Sequence, residues 1–462
     1  MSDVCRFGSV SMREVIIGLD VGTTSTKAVA FALGSQRRSV VVRHYPLLHP
    51  GPLQHTQDPM VIREAAVSAL AESVQSIDGA KVLAVSLSAA MHGLMALDGD
   101  RQPLTPLVTW ADGRAGDEIA GLVRNEKTLD LQESTGTALH PMTPFAKLLW
   151  FARHDRDVWS KARLWVGLKD YLLLWLSGSF VTELSSASGT GLLDLATRSW
   201  SPLALDLCGL QPSLLPDILP TTSTVRLAAE VAGAVGLPVG TPICVGAGDG
   251  PLANLGSGAI EPGVAGLSLG TSGALRVAVD GSSPDRYGSL FCYALADPLW
   301  VVGGATSNGA NVLRWAGRTI GPDSSVPADS EGVALELAAG VNAGSDGLVM
   351  LPFLLPERSP LWDPHLAGAL IGLRQDHTLA HQVRAGMEGV CMQMRLILDR
   401  LDSRYPIRCI RATGGAFRSP LWAELMAAAL DRPLYIVSEA EGSALGAAVL
   451  GLLATGEASS FD

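Results

Sequence analysis

The sequence predicts an α/β fold in two related halves, and three observations carry that prediction. The chain has 462 residues, more than one hydrophobic core usually serves. Strand-like β-branched runs alternate with helix-period segments from end to end, the pattern of α/β proteins. The segment GLDVGTTSTKAVAF at 18–31 also lies without gaps on GLSLGTSGALRVAV at 266–279, so that Gly18 meets Gly266, Leu19 meets Leu267, Gly22 meets Gly270 and Thr23 meets Thr271.

In chain order, the first element reads as a hairpin: strand 15–21, a Gly-centred turn at 22–25, strand 26–32, and then the β-branched run SVVVRHYPL. Asp58-Pro59 is a helix-start signal, and apolar spacing predicts a helix over 58–77. VLAVSLSAA at 82–90 is a short buried strand that runs into MHGLMALD. One amphipathic helix is predicted over 145–162 after Pro144, and another over 168–178, closed by Gly178. A Pro/Leu-rich region at 202–220 precedes the second half. There TPICVGAGDGPLANLGSGAI reads as a strand to Val245, a Gly-rich turn holding Asp249, then a helix. Residues 408–437 read strand, Gly-Gly turn, long helix, strand, and EGSALGAAVLGLLA is a closing helix whose small residues allow tight packing. The repeat places a domain boundary near 246, giving domains 15–246 and 247–462 after a disordered lead at 1–14, with Met12 as a candidate start.

Composition narrows the function classes. Lys and Arg number 34 against 45 Asp and Glu, a net charge of −11, which argues against a nucleic-acid partner. The six cysteines, at 5, 208, 244, 292, 391 and 409, have neither metal-ligand nor redox spacing and read as reduced core thiols. The N-terminus has no secretory h-region, and the strongest apolar run, YLLLWLSG, is far short of the ~18 residues of a membrane span. The expectation is a soluble cytoplasmic protein with no membrane partner.

The repeated turn carries the chemistry. A tight Gly/hydroxyl turn between two strands presents backbone N–H groups that cradle phosphate oxygens, and glycine lets the backbone approach an anion. Thr23, Thr24 and Thr271 add hydroxyl donors beside Gly22 and Gly270. Asp20, just before the first turn, would repel phosphate but can hold Mg²⁺; its counterpart in the second copy is Ser268. Two such turns would enclose a nucleotide in a cleft.

Taken with TGGAFRSPLW, these two stretches resemble the phosphate and adenosine elements of the FGGY carbohydrate kinases. MTPFAKLLWFARH at 142–154 fits that family's first signature, including Pro144, Lys147 and Trp150. GALIGLRQDHTLAHQVRAGMEG at 368–389 approaches the second, departing at Gln382 and Gly386. The resemblance runs from about residue 15 to 455. It implies two duplicated ribonuclease H-like (actin-like ATPase) domains around a cleft, with ATP and Mg²⁺ as cofactors. Asp249 in GAGDGP reads equally well, by pattern, as a general base or as a helix cap; the resemblance makes it the catalytic base. By the same resemblance Thr271 contacts the transferred phosphate, Gly414 and Gly415 form the adenine and ribose pocket with Ser419 close by, and Gly309 lines it. Lys27 reads as structural.

For the acceptor, SAAMHGLMALD lies at the family's substrate-contact strand end, and Met91-His92 there resembles xylulose and gluconate kinases, not the Arg-Glu of glycerol kinases. Trp110, Asp112 and Arg114 of TWADGR are further sugar candidates, although His92 and Trp110 also suit a core. Xylulose kinases usually continue the base as Asp-Asn, whereas Asp249-Gly250 here, GTALHPMTPFAKLLW and FCYAL resemble gluconate kinases. The expected partner is therefore a small sugar acid or sugar, D-gluconate first, with xylulose as the alternative. Arg114 and His92 are the candidates for its carboxylate, and a homodimer is the candidate assembly.

Overall fold

The computed structural model describes residues 14–35, 38–77, 79–122, 126–320, 330–437 and 441–461. The expected lead, with Met12 and Cys5, lies outside the described residues up to residue 13.

The first half builds a six-stranded mixed sheet from β1 (Glu14–Val21), β2 (Ser25–Ala32), β3 (Arg38–His44), β4 (Lys81–Ala89), β5 (Thr224–Arg226) and β6 (Pro242–Gly248). Its spatial order is β5-β6-β4-β1-β2-β3. The second half builds another from β7 (Val264–Leu269), β8 (Gly273–Asp280), β9 (Phe291–Ala296), β10 (Leu299–Thr306), β11 (Cys409–Thr413) and β12 (Leu434–Ile436), ordered β9-β10-β8-β7-β11-β12. In both, the lead strand (β1 or β7) pairs antiparallel with its hairpin partner and parallel with a much later strand (β4 or β11). The repeat in the sequence is thus a repeat of topology, and each Gly-Thr turn sits at the same corner of its sheet.

Seven helices position the site: α1 (Pro59–Ser76), α2 (Pro144–His154), α3 (Leu168–Ser177), α4 (Asp249–Gly256), α5 (Leu379–Asp402), α6 (Pro420–Leu430) and α7 (Gly442–Thr455). β1 is apolar on both faces because both are covered. Val15 and Ile17 share a core with Ile62, Ala66 and Leu70 of α1, whereas Ile16 packs against Ala448 of α7. Contact with α7 is intimate: a Cβ on Gly18 would lie 2.2 Å from the Ala444 carbonyl oxygen, and one on Gly446 would lie 2.2 Å from that of Leu252 in α4. The chain therefore ends by returning to its first sheet.

Local signals act as expected at most ends. The Asp58 carboxylate accepts from the Met60 amide at 2.8 Å, and Gly178 adopts φ 74° to close α3. The helix predicted over 145–162 is instead two, Pro144–His154 and Arg156–Lys161. Asp155 breaks it, because its side chain accepts from the Val158 amide at 3.1 Å and starts a new helix. The strand predicted to end at Val245 continues to Gly248 through a bulge at Gly246 (φ 68°), where any Cβ would collide with the Leu87 carbonyl. Four of the five described cysteines are buried, and all five are unpaired. No described helix is long and apolar enough to cross a membrane.

Candidate active site

A cleft of about 1250 Å³ runs between the two sheets, and both turns open onto it. Thr23 and Thr24 of the first turn, Gly270 and Thr271 of the second, and Gly414 and Gly415 all line it. Each turn is braced from behind. The Gly22 carbonyl accepts from the Tyr45 hydroxyl at 2.8 Å, and the Trp110 indole donates to Thr23 Oγ1 at 2.9 Å. On the other side the Gly309 amide donates to the Thr271 carbonyl at 3.0 Å, and Arg314 donates to Thr271 Oγ1. Gly309 is thus a support: a Cβ there would lie 2.7 Å from the Gly270 carbonyl oxygen, and the residue does not line the cleft. Gly22 and Ser419 likewise sit behind it, the latter at the start of α6. Gly414 is confined to glycine by φ 112° and by the Leu269 carbonyl 2.2 Å from where a Cβ would be.

Asp20, next to last in β1, lies beside its parallel neighbour Ser88, whose hydroxyl donates to Asp20 Oδ1 at 2.7 Å. Its carboxyl is raised to about 6, chiefly by burial and in part by Asp249, with the Ser88 hydrogen bond and Lys27 opposing. Lys27, read from sequence as structural, lines the cleft across the hairpin from Asp20. A cation at Asp20 would relieve the burial of this carboxylate. One or two carboxylates plus substrate phosphates is the usual setting of Mg²⁺, so the residues fit that ion. Among the described residues there is no cluster of three or more His, Cys, Asp or Glu that would hold a metal by protein ligands alone.

Asp249 is the first residue of α4 and lines the cleft; Gly248 occupies the cap position. Its Oδ1 accepts from the Gly250 amide at 2.8 Å, so the carboxylate is not a side-chain helix cap. Burial pushes its carboxyl up, and Arg276 pulls it back most strongly. Beneath it runs a buried chain of polar groups. The Gly248 amide donates to Ser185 Oγ at 3.1 Å, the Ser185 amide donates to Glu183, and Glu183 pairs with Lys169 at 2.5 Å.

On the acceptor side Met91, His92, Trp110 and Gly250 line the cleft. His92 has φ 67°, a left-handed backbone that costs a non-glycine residue about 1–2 kcal/mol. The strain is held by Lys147, whose ammonium is buried and donates to the His92 and Met142 carbonyls. Nδ1 of His92 donates to the Gly189 carbonyl at 2.7 Å, leaving Nε2 as an acceptor. Burial holds the ring neutral, its pKa down at about 3. His92 thus suits a sugar hydroxyl and cannot attract a carboxylate.

Asp112 and Arg114 do not join the cleft lining. Asp112 is fully buried; its oxygens take two bonds from the Arg114 guanidinium at 2.8 Å and one from the His55 amide at 2.8 Å. Arg114 stacks on Trp150, 5.0 Å from the ring. The pair braces the loop that presents Trp110, and its charges are spent on each other. In its place the cleft is lined by arginines not singled out from sequence, Arg276 and Arg358 among them. Arg276 projects from β8, and Arg358 stacks 4.8 Å over the Trp110 ring. Arg276 stood in the quoted repeat, but strand alternation alone could not say which face it takes.

A family model for the N-terminal domain of the FGGY family of carbohydrate kinases matches residues 15–256, and one for the C-terminal domain matches residues 265–455. The chain belongs to the FGGY family of carbohydrate kinases. It is a phosphotransferase acting on carbohydrate. This kinase is 36% identical to a gluconokinase of Bacillus subtilis (strain 168), over 98% of this chain and 90% of that one. It is 30% identical to a xylulose kinase of Escherichia coli (strain K12), over 95% and 90%. Among solved structures it resembles a gluconate kinase from Lactobacillus acidophilus (TM-score 0.89, 33% identity, 97% of this chain and 90% of that one). It equally resembles a ligand-bound xylulose kinase from the same species (TM-score 0.89, 33% identity, 97% and 91%). Backbone shape therefore does not choose between the two sugars.

Proposed function

We propose that this kinase transfers the γ-phosphoryl group of ATP to the terminal hydroxyl of D-gluconate, giving 6-phosphogluconate, with Asp249 as general base. The observation that carries the reading is the half-buried Asp249 carboxylate lining the same cleft as both Gly-Thr turns. ATP phosphates would lie on the amides at 23–24 and 270–271, with the nucleoside toward Gly414 and Gly415. Asp20 would hold Mg²⁺, which when bound offsets phosphate charge. Asp249 accepts the proton of the attacking hydroxyl; His92 Nε2 and the Trp110 face orient the sugar chain. Five unpaired cysteines suit the cytoplasm, the compartment proposed. Gluconate is favoured over xylulose by the higher identity to gluconokinases and by Gly250 after the base.

Two measurements test this. ADP release with gluconate, xylulose, ribulose, glycerol or no sugar should be fastest with gluconate; fastest release with xylulose would keep the chemistry and replace the substrate. Asp249→Asn should lower kcat by about 100-fold or more with ATP binding nearly unchanged. A variant retaining about a tenth of the wild-type rate would remove Asp249 as base.

A further inference from the structure

The acceptor end of the cleft contains donors that the protein leaves without acceptors. Arg276 spends Nη1 on Ser268 Oγ at 3.2 Å; among the described residues nothing accepts from its Nε or Nη2. Those two nitrogens face the Gly250 position, where a Cβ would lie 3.4 Å from each. A Cβ there would make ordinary contact with the guanidinium, but a longer side chain would compete with it for the same volume. Arg358 donates Nε to Ser307 Oγ at 3.2 Å and Nη2 to the Thr306 carbonyl at 2.7 Å, and no described residue accepts from its Nη1. Tyr293 stacks on Phe291 and lines the same cleft, yet its buried hydroxyl has no partner. Burial depresses Arg276 to about 10, with the Asp249 carboxylate opposing and the Arg358 charge adding to the fall, so it still carries its proton at neutral pH and Asp249 only partly balances the two guanidiniums. The half-buried Arg276 edge, the buried Arg358 and a buried phenol lining one cavity call for a ligand with several acceptor lone pairs and a negative charge.

We infer that Arg276, in the space kept open by Gly250, is the residue that selects a sugar acid, binding the substrate carboxylate together with Arg358 and the Tyr293 hydroxyl. This rests on the reading of the cleft as a gluconate site and replaces Arg114 and His92 as the carboxylate partners. Two guanidiniums and a hydroxyl supply a fork that matches a planar carboxylate; a neutral polyol end would leave those donors half satisfied.

The test compares binding of gluconate with glucitol, which differ only at the carboxylate, by calorimetry without ATP, alongside turnover of gluconate and xylulose. Wild type should bind gluconate about 10- to 100-fold more tightly than glucitol. Arg276→Met should bring that ratio within about 3-fold, chiefly by weakening gluconate. Gly250→Asn, which keeps the cation but fills its space, should move the ratio the same way and serves if the arginine variant folds poorly. A wild-type ratio near one, or an Arg276→Met variant that keeps the wild-type ratio while both turnover rates fall together, would overturn the inference; the second result would assign Arg276 to the transferred phosphoryl group or to Asp249. A wild type that binds the acid preferentially but phosphorylates only xylulose would sink gluconate as acceptor and leave the carboxylate site standing.

Discussion

At the residue scale, the cleft holds carboxylates where folding alone would not put them. Asp20 titrates near 6 in the folded chain against 3.8 ordinarily. The folded state therefore holds the proton more tightly, and stability falls as pH rises from about 3.8 through about 6, by roughly 3 kcal/mol once complete. Asp20→Asn, whose amide oxygen still accepts from Ser88, should raise the unfolding temperature at pH 7.5 without metal or nucleotide. The gain should vanish near pH 4, and the variant should lose most of its kinase activity. Equal unfolding temperatures at both pH values would mean the carboxylate is better solvated than its burial suggests. Asp249 is pushed in the same direction, so the acidic limb of kcat/KM should lie above the ordinary carboxylate range. Arg276→Met removes the strongest opposing charge and should move that limb further up. Asp249 could be singled out from its glycine-flanked place after an apolar strand, but the pattern fitted a helix cap as well as a base, and only the resemblance favoured the base. Arg276 could not be singled out, because an arginine in an apolar strand looks alike whether it faces solvent or a cleft, and Arg358 could not, because it lies in an irregular loop whose course the sequence does not set.

At the element scale, the site depends on buried polar groups that pin the ends of strands and helices. Lys147 sits inside α2, and the only hydrogen-bond partners of its ammonium among the described residues are the His92 and Met142 carbonyls. Lys147→Met should let the His92 segment relax from its left-handed backbone and raise the sugar KM about 10-fold, with the ATP KM unchanged. A parallel rise in both would point to general loosening instead. Below Asp249, Glu183→Ala would leave the Lys169 charge buried and unpaired; chemical denaturation should read a loss of about 3–5 kcal/mol. The signature around Lys147 could be quoted from the sequence, but its task could not, since the carbonyls it holds lie 55 and 5 residues away.

At the scale of the whole molecule, the last helix fastens the chain onto its beginning. Gly18, Gly446 and Gly256 each lie against a backbone carbonyl closer than any Cβ allows. Gly446→Ala must push α7 off α4 and should cost at least about 2 kcal/mol in thermal unfolding. Gly233→Ala, at an exposed helical position with nothing within 4 Å of the new carbon, should stabilise by about 0.5–1 kcal/mol. If both substitutions were silent, the packing of α7 would be slack. Closure belongs to this scale too: Arg358 of the second half lies over Trp110 of the first, which in turn donates to the phosphate turn at Thr23.

The sequence by itself determined the α/β class, the duplicated turn, the order of the main elements around the cleft and the family resemblance. These depend on local physics: period-two and helical spacing, glycine in tight turns, Asp and Pro at helix starts. The tertiary structure alone decided which side chains share the cavity. It paired the buried Asp112 with Arg114, moved Gly309 out of the cleft lining to support the turn, made His92 neutral, and brought Arg276 and Arg358 from distant segments into one cleft. Partnership between charges depends on distances across the chain, and the spacing of residues along it does not encode those distances.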